Sequence, residues 1–351
     1  MKLRAKTTGA RKNSPVTLKT VAEHVGFTPG TVSAVLNNSA AARSFPQQTK
    51  DRILAAARDL NYRPNLLARS LRVKRTYTIG VITEEIGDPY GAMVIAGIER
   101  HLGQRGYLFL TVAHRHDAKL LDTYAHLLVQ RGVEGIITVD TSIRQLLPLP
   151  IIAVAGHRRV RGVTNLLLDH RAAALMALKH LQQLGHREIA FMRGPTISSD
   201  NVDRWRAIVE VSRKLGLAIR PELTVRLQGE AGTPHAGYPF AKQLLARRKR
   251  FTALFAYNDN SAIGAIRAIQ DAGLRVPEDI SVVGFDDIES AAYGNPSVTT
   301  VRQPLHKMGE LAARTLLDRI EKRGTFLAEI TVEPEFVVRQ STARAPARLG
   351  Q

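Results

Sequence analysis

The chain has 351 residues, a formal net charge of +19 and no cysteine. That length exceeds what one hydrophobic core normally fills and leaves room for two domain-sized cores behind a smaller unit. The lack of cysteine excludes a disulfide framework and fits a reducing compartment. No run has the continuous apolar character of a secretory signal or a bilayer span, so the expected location is cytoplasmic, with no membrane partner.

Residues 1–15 are polar and basic and read as a disordered arm. The most informative stretch follows at 16–37, VTLKTVAEHVGFTPGTVSAVLN. Thr17 is placed to cap a helix in which Leu18, Val21, Ala22 and Val25 share one side, and Gly26 supplies a left-handed turn after it. Thr28 then caps a second helix, Pro29 takes the first helical position where no amide donor is needed, and Val32, Val35 and Leu36 return the apolar face to the core. Gly30, Thr31, Ser33 and Ala34 are left pointing outward. A third helix over 48–61 carries Ile53, Ala56, Ala57 and Leu60 at helical spacing and closes a three-helix core.

Helical spacing of Ala, Val and Leu also marks ordinary bundles, so charge decides between the two readings. Residues 1–75 hold 15 Lys or Arg against only Glu23, Asp51 and Asp59. A compact field of that sign attracts phosphates, and two short helices across a tight turn form the helix-turn-helix that presents its second helix to the major groove. Residues 62–71, YRPNLLARSL, begin with a proline stop and continue as a segment too short to be stable as an isolated helix.

From residue 76 onward strands and helices alternate, which predicts parallel sheets. Strands are expected at 76–83, 107–112, 135–139 and 151–155, helices at 90–103 and 118–131, and an extended crossing segment at 162–168. A long helix over 169–184 leads into a second round. That round has strands at 188–192, 224–227, 253–256 and 280–285, with helices at 202–215, 237–246 and 260–272. The helix 304–320, with Leu305, Met308, Ala312 and Leu316 on one face, is placed to pack back on the first domain. Residues 341–351, STARAPARLGQ, read as a frayed tail.

Small molecules bind at strand ends and in the cleft between two such domains. Arg204, Asn258, Asp259, Asp286 and Gln303 all stand where the chain leaves regular structure. Arg204 is suited to bridging two hydroxyls or holding a carboxylate, with Arg193 a second cation for an anionic ligand; Asp286 is suited to accepting from hydroxyls or an amine. Asn258 has helix capping as its alternative role, and Asp259 is better suited to capping than to a ligand. No catalytic or metal-binding set is apparent: HExxH, C-x-x-C and G-x-S-x-G are absent, and no cofactor is expected. The rival reading is a cytoplasmic small-molecule-binding protein or enzyme whose basic head holds DNA without specificity.

The chain resembles the lactose/galactose repressor family of bacterial transcription regulators. The resemblance is carried by VTLKTVAEHVGFTPGTVSAVLN, TKDRILAAARDLNYRPNLLARSL, TIGVI, HLQQLGHREIAF, YNDNSAIGAIRAIQDAGLRVPEDISVVGFDD and VTTVRQP, in that order. It implies an all-α helix-turn-helix head joined to an α/β body of two parallel-sheet subdomains similar to periplasmic binding proteins. The implied boundaries are a head at 16–61, a hinge helix and linker at 62–75, and a body at 76–340. The body divides into a first subdomain (76–172 and about 304–330) and a second (173–303 and about 331–340).

The implied activity is repression by a homodimer on palindromic double-stranded operator DNA, with affinity set by a small-molecule effector, expected to be a sugar. The implied DNA contacts are Thr17, Thr28, Pro29, Gly30, Thr31, Ser33, Ala34 and Asn37 in the head and Asn65, Ala68 and Leu71 in the hinge, with Leu71 wedging into the minor groove. The implied effector contacts are Tyr90, Arg204, Asn258, Asp286 and Gln303. Two departures stand out. Pro29, Gly30 and Ala34 offer no strong donor to a base edge, which shifts readout toward thymine contact and DNA shape. Ala155, Gly156 and His157 stand where sugar-responsive relatives place an Asp or Asn.

Overall fold

The computed structural model describes residues 16–63, 70, 74–143, 147–156, 160–196, 200–228, 232–247, 249–323 and 325–347. The hinge contacts expected at Asn65, Ala68 and Leu71, and His157 beside Gly156, lie outside these residues. The chain divides into two compact units, Met1–Thr76 and Tyr77–Gln351.

In the first unit, α1 (Leu18–Val25), α2 (Pro29–Leu36) and α3 (Gln47–Asp59) enclose a small core. Val21, Val32 and Ile53 are fully buried at its centre, and Leu36, Leu60 and Phe27 pack around them. Thr17 accepts the Thr20 amide and closes a reciprocal capping box, while Gly26 ends α1 at φ +70°. Thr28 caps α2 by accepting from the Thr31 amide, with Pro29 in the first turn. Arg52 on α3 donates to the Val25 carbonyl at 2.8 Å and lies over the Phe27 ring, tying the third helix to the turn between the first two.

The second unit holds two six-stranded sheets. The first runs in the order β11-β5-β4-β3-β1-β2 and is parallel throughout: β1 (Thr78–Thr83), β2 (Leu108–Ala113), β3 (Ile136–Val139), β4 (Ile151–Val154), β5 (Val163–Leu168) and β11 (Glu329–Val332). The second runs β12-β10-β9-β8-β6-β7: β6 (Ile189–Arg193), β7 (Thr224–Arg226), β8 (Ala253–Phe255), β9 (Ser281–Asp286), β10 (Thr299–Arg302) and β12 (Glu335–Val337). Only β12 is antiparallel to its neighbour. Runs such as IIAV in β4 and SVVGFD in β9 are buried throughout, as strands covered on both faces by helices must be.

Helices α4 (Pro89–Gln104) and α5 (Ala118–Gln130) belong to the first subdomain. The second carries α6 (His170–Gln183), α7 (Asp200–Lys214), α8 (Tyr238–Ala246), α9 (Asp259–Asp271) and the short α10 (Glu289–Tyr293). Helix α11 (Leu305–Ile320) returns to lie along α4. The two backbones nearly touch: a Cβ on Gly97 would stand 2.0 Å from the His306 carbonyl, and one on Gly309 the same distance from that of Val94. After α11 the chain adds β11 to the first sheet and β12 to the second, so it crosses between the subdomains three times.

Three expectations are corrected by packing. Ser33 does not face outward: it is buried, and the Asn37 amide folds back onto its carbonyl at 2.8 Å and its hydroxyl at 3.3 Å. The division near 330 moves beyond Val332, because β11 pairs in register with β5 from Glu329↔Asn165 to Val332↔Leu168. The start of the expected tail is not frayed. Ser341 is fully buried, donating to Val282 at 2.6 Å and accepting the Thr299 amide at 2.8 Å. Beyond it, Ala343 and Ala345 bond to Ser281 and Leu184. The tail completes the polar ends of the second sheet, a role that local composition does not encode.

Candidate functional site

Parallel strands deliver their following loops to one edge of a sheet, and in the body those edges face each other across a cavity. Its first wall comes from the loops after β1, β2 and β3 and the start of α4: Glu84, Glu85, Asp88, Tyr90, His116 and Asp140. The second comes from the start of α7 and the ends of β8 and β9: Asp200, Arg204, Tyr257, Asn258 and Asp286. The cavity is partly open to solvent, with about 60 Å³ within reach of a water-sized molecule's centre.

The second wall is a connected polar network. Asp200 and Arg204, one helical turn apart on α7, form a buried ion pair. Arg204 also donates to the Tyr257 carbonyl at 2.6 Å and packs its guanidinium over the Phe285 and Tyr257 rings at 3.9 and 4.6 Å. His170 reaches the other Asp200 oxygen at 2.9 Å. Burial alone would lower the Arg204 pKa, but Asp200 and the negative field of Tyr257 and Asp286 outweigh it, and the net shift is upward. Its Nε is buried without a partner among the described residues.

Asp286 is buried and accepts from the Gln303 amide at 2.7 Å. Burial pushes its carboxyl well above the usual range, against the opposing pull of Arg204 and with the added repulsion of Asp259. Asp286 and Asp287 have φ of 107° and 61°, in the region L-residues disfavour. The neighbouring ion pairs from Asp287 to Arg302 and Arg339, both 2.6 Å, hold this turn in place. Gln303 is therefore brought to the site through Asp286 and does not line the cavity.

Asn258 lines the cavity and also caps α9 in a reciprocal box with Ser261. This corrects the expected assignment of capping to Asp259. Asp259 instead turns inward beneath the site, accepting from Thr300 at 2.6 Å and from the Ile288 amide at 2.9 Å. Burial raises its pKa to about 7 despite those bonds.

The first wall is less tightly built. His116 sits 3.4 Å from both Glu84 and Glu85, and the hydrogen bond to Glu84 raises its pKa against the effect of burial. Asp88 caps α4 through the Gly91 amide. The Tyr90 hydroxyl is buried with no hydrogen-bond partner among the described residues. Burial, reinforced by Asp140, Asp200 and Asp286, raises its pKa well above the free value, so it enters the cavity as a neutral donor.

Tyr90, Arg204, Asn258 and Asp286 thus line one cavity, and Gln303 supports it. Arg193 does not join them. It stacks on Trp205 at 4.5 Å and lines a separate surface groove with Arg226, which removes the basis for an anion held jointly by Arg193 and Arg204. Asp200, Asp140, Asp88, Glu84, Glu85 and His116 are the site residues that sequence reasoning missed. Two had local signals: Asp200 precedes Arg204 by one helical turn, and Asp88 precedes Pro89 as a helix cap.

In the head, Thr28, Pro29 and Gly30 are exposed at the start of α2, with Thr31 and Ala34 half-buried beside them. The Thr17 and Thr28 hydroxyls already serve their helix caps. The Asn37 amide is likewise engaged with Ser33. Among the described residues no helix is long and apolar enough to cross a membrane.

Residues 17–65 match the model of the bacterial regulatory proteins of the lacI family, and residues 178–342 match a periplasmic binding protein-like domain. The chain is 33% identical over 342 residues to the HTH-type transcriptional repressor PurR of Erwinia tasmaniensis, covering 95% of this chain and 98% of that protein. It is 32% identical over 341 residues to PurR of Yersinia pestis, covering 95% of this chain and 98% of that protein. Among solved structures, the lac repressor dimer bound to operator and the anti-inducer ONPF superposes with a TM-score of 0.84 at 26% identity, over 94% of this chain and all of that one. A LacI family regulator from Enterococcus faecium with bound ribose gives 0.67 at 27% identity, over 76% of this chain and 99% of that one. Near-complete coverage of both chains at this identity, on a fold that carries both the three-helix head and the two-sheet body, places the protein: it belongs to the lacI family of bacterial regulatory proteins.

Proposed function

We propose that this chain is a cytoplasmic, homodimeric repressor that binds a palindromic operator through α2 and is controlled by a small polar molecule, a sugar or sugar derivative, held in the cleft between its body subdomains. The observation that carries the reading is the cavity itself. Tyr90 and Arg204 come from opposite walls and line one cavity, and each carries a buried donor, the Tyr90 hydroxyl and Arg204 Nε, that has no partner among the described residues. A buried donor left unpaired costs about 1–3 kcal/mol, so a ligand that accepts from both is favoured specifically when the walls are together.

In this reading residues 16–61 are the DNA-reading head, with Thr17, Thr28, Pro29, Gly30, Thr31, Ala34 and Asn37 at or near the duplex. Residues 62–75 are the hinge, where the family resemblance assigns minor-groove contact to Asn65, Ala68 and Leu71. Tyr90, Arg204, Asn258 and Asp286 contact the effector, and Gln303 fixes Asp286. Ser33 supports α2 from within. The ligand shifts DNA affinity only to the extent that it binds the two relative positions of the subdomains unequally. In this reading the two walls close on the bound ligand, and that closure is the change passed on to the head.

The test is operator affinity, measured by fluorescence anisotropy with and without each member of a panel of sugars and nucleosides. At least one compound is expected to change the affinity of the wild type and to have no effect on Tyr90→Phe/Asp286→Asn. A compound that acts equally on both proteins would sink the assignment of this cleft.

A further inference from the structure

The groove that Arg193 lines lies on the outside of the second subdomain, between α7 and the edge strand β7, away from the effector cavity. Val202, Trp205, Val209 and Arg213 recur along α7 at the spacing of one helical face. From Val202 to Arg213 that face runs about 16 Å. Val202 is 57% exposed, so its apolar side chain stands in water. Facing this stripe are Arg193 and Arg226, partners in register at the ends of β6 and β7. Like charges side by side on neighbouring strands repel.

Neither Arg193, Arg213 nor Arg226 has an ion pair or a side-chain hydrogen bond among the described residues. Arg193 stacks on Trp205 at 4.5 Å instead, and its Nε is buried without a partner. The other charged side chains of the groove are already engaged, Arg206 with Asp203 and Glu210 with Arg171 and Lys214.

A small anion such as phosphate would pair Arg193 and Arg226 but leave Val202, Trp205 and Val209 in water. A duplex would bring phosphates to the guanidiniums and has no apolar group to set against the valines. A wholly apolar partner would bury the guanidiniums unpaired, at high cost. Trp and Arg beside exposed apolar side chains are the composition of the centre of a protein interface. We infer that this groove docks an acidic segment of a protein partner, its carboxylates on Arg193, Arg226 and Arg213 and an apolar side chain between them against Trp205 and the two valines. The partner would then hold the outer face of the helix whose inner face carries Arg204 into the effector cavity.

Trp205 is the only tryptophan of the chain, so its emission reports on this groove directly. The test is titration of the full-length protein, at near-physiological salt, with a tryptophan-free peptide of Glu, Asp and Leu long enough to span the groove. The same peptide with Ser for Leu, pyrophosphate, and a duplex DNA of mixed sequence are run beside it. The Leu peptide is expected to change the Trp205 emission saturably and to bind about tenfold tighter than the Ser peptide. In Arg213→Gln/Arg226→Gln, which alters two exposed side chains and leaves the Arg193–Trp205 stack in place, its affinity is expected to fall about tenfold. Equal affinity of the two peptides would remove the apolar anchor and overturn the proposal. So would an emission change at lower concentrations of pyrophosphate or DNA than of peptide, lost in the same variant, which would make the groove a phosphate or nucleic-acid site. No emission change at millimolar peptide, or an affinity that the variant leaves unaltered, also overturns it.

Discussion

In the first subdomain α4 and α11 cross on Gly97 and Gly309, and in the second the chain before α8 meets α9 on Gly237 and Gly264. In each crossing a Cβ would fall 2.0–2.1 Å from a carbonyl oxygen of the opposite element. The scaffolds are built alike, yet the walls they bring to the cleft are not. On the second, Asp200, Arg204, Asn258 and Asp286 are buried and tied to Tyr257, Ser261 and Gln303. On the first, Glu84, Glu85, Asp88 and His116 are only half-buried and held by longer contacts. In the proposed reading the tightly bonded wall sets what is recognised and the more loosely held wall closes on it, a division suited to a two-state switch.

This contrast can be broken at its stiffest point first. Arg204→Ala leaves the buried Asp200 without its cation, and a broken buried pair costs about 3–5 kcal/mol. Urea unfolding of the isolated variant is expected to show that loss, while removal of the exposed Lys19–Glu23 pair changes little. Gly309→Ala tests the scaffold. Overpacking at the α4–α11 crossing is expected to cost about 1–3 kcal/mol or more, read as a lower midpoint in the same titration, and an unchanged midpoint would contradict the close crossing.

A pH series sharpens the view of what lies beneath the fixed wall. Folded Asp259 keeps its proton up to about pH 7, whereas the unfolded chain releases it near 4. Between those values the folded state binds more protons, so this group makes stability fall as pH rises from about 4 to about 7. Asp259→Asn, which keeps one of the two acceptor oxygens and cannot titrate, is expected to flatten that slope; an identical slope in both proteins would contradict the assignment. The smallest effect is expected from Tyr90→Phe. Its hydroxyl has no bond to lose among the described residues, so unfolding stability should hold or rise while effector affinity falls.

Much of this architecture was legible in the sequence because it depends on local rules. Thr17, Gly26, Thr28 and Pro29 mark the head helices through caps and turns, and unbroken apolar runs mark the parallel strands. The apolar face of α11 was legible, but that it packs on α4 of the first subdomain is settled only by the close approach at Gly97 and Gly309. What the sequence concealed depends on distant partners. The burial of Ser341 needs Val282 and Thr299, and strand β11 needs β5 beside it. At the site, Arg204, Asn258 and Asp286 were visible because they interrupt motifs at strand or helix ends. Glu84, Glu85 and His116 were not, because only the juxtaposition of the loops after β1 and β2 gathers their charges at one cavity. The exchange of roles between Asn258 and Asp259 was hidden for the same reason: both fit a helix N-terminus, and only Thr300 and Ile288 draw the aspartate inward.

The most direct test of the account is selection of the full-length protein against a random duplex DNA pool at near-physiological salt, run in parallel with and without a small-molecule cell extract. The account predicts enrichment of a two-fold symmetric sequence in at least one arm and a difference in affinity for it between the arms. Binding that enriches no sequence in either arm, and that varies only with salt, would contradict a sequence-specific, effector-controlled repressor.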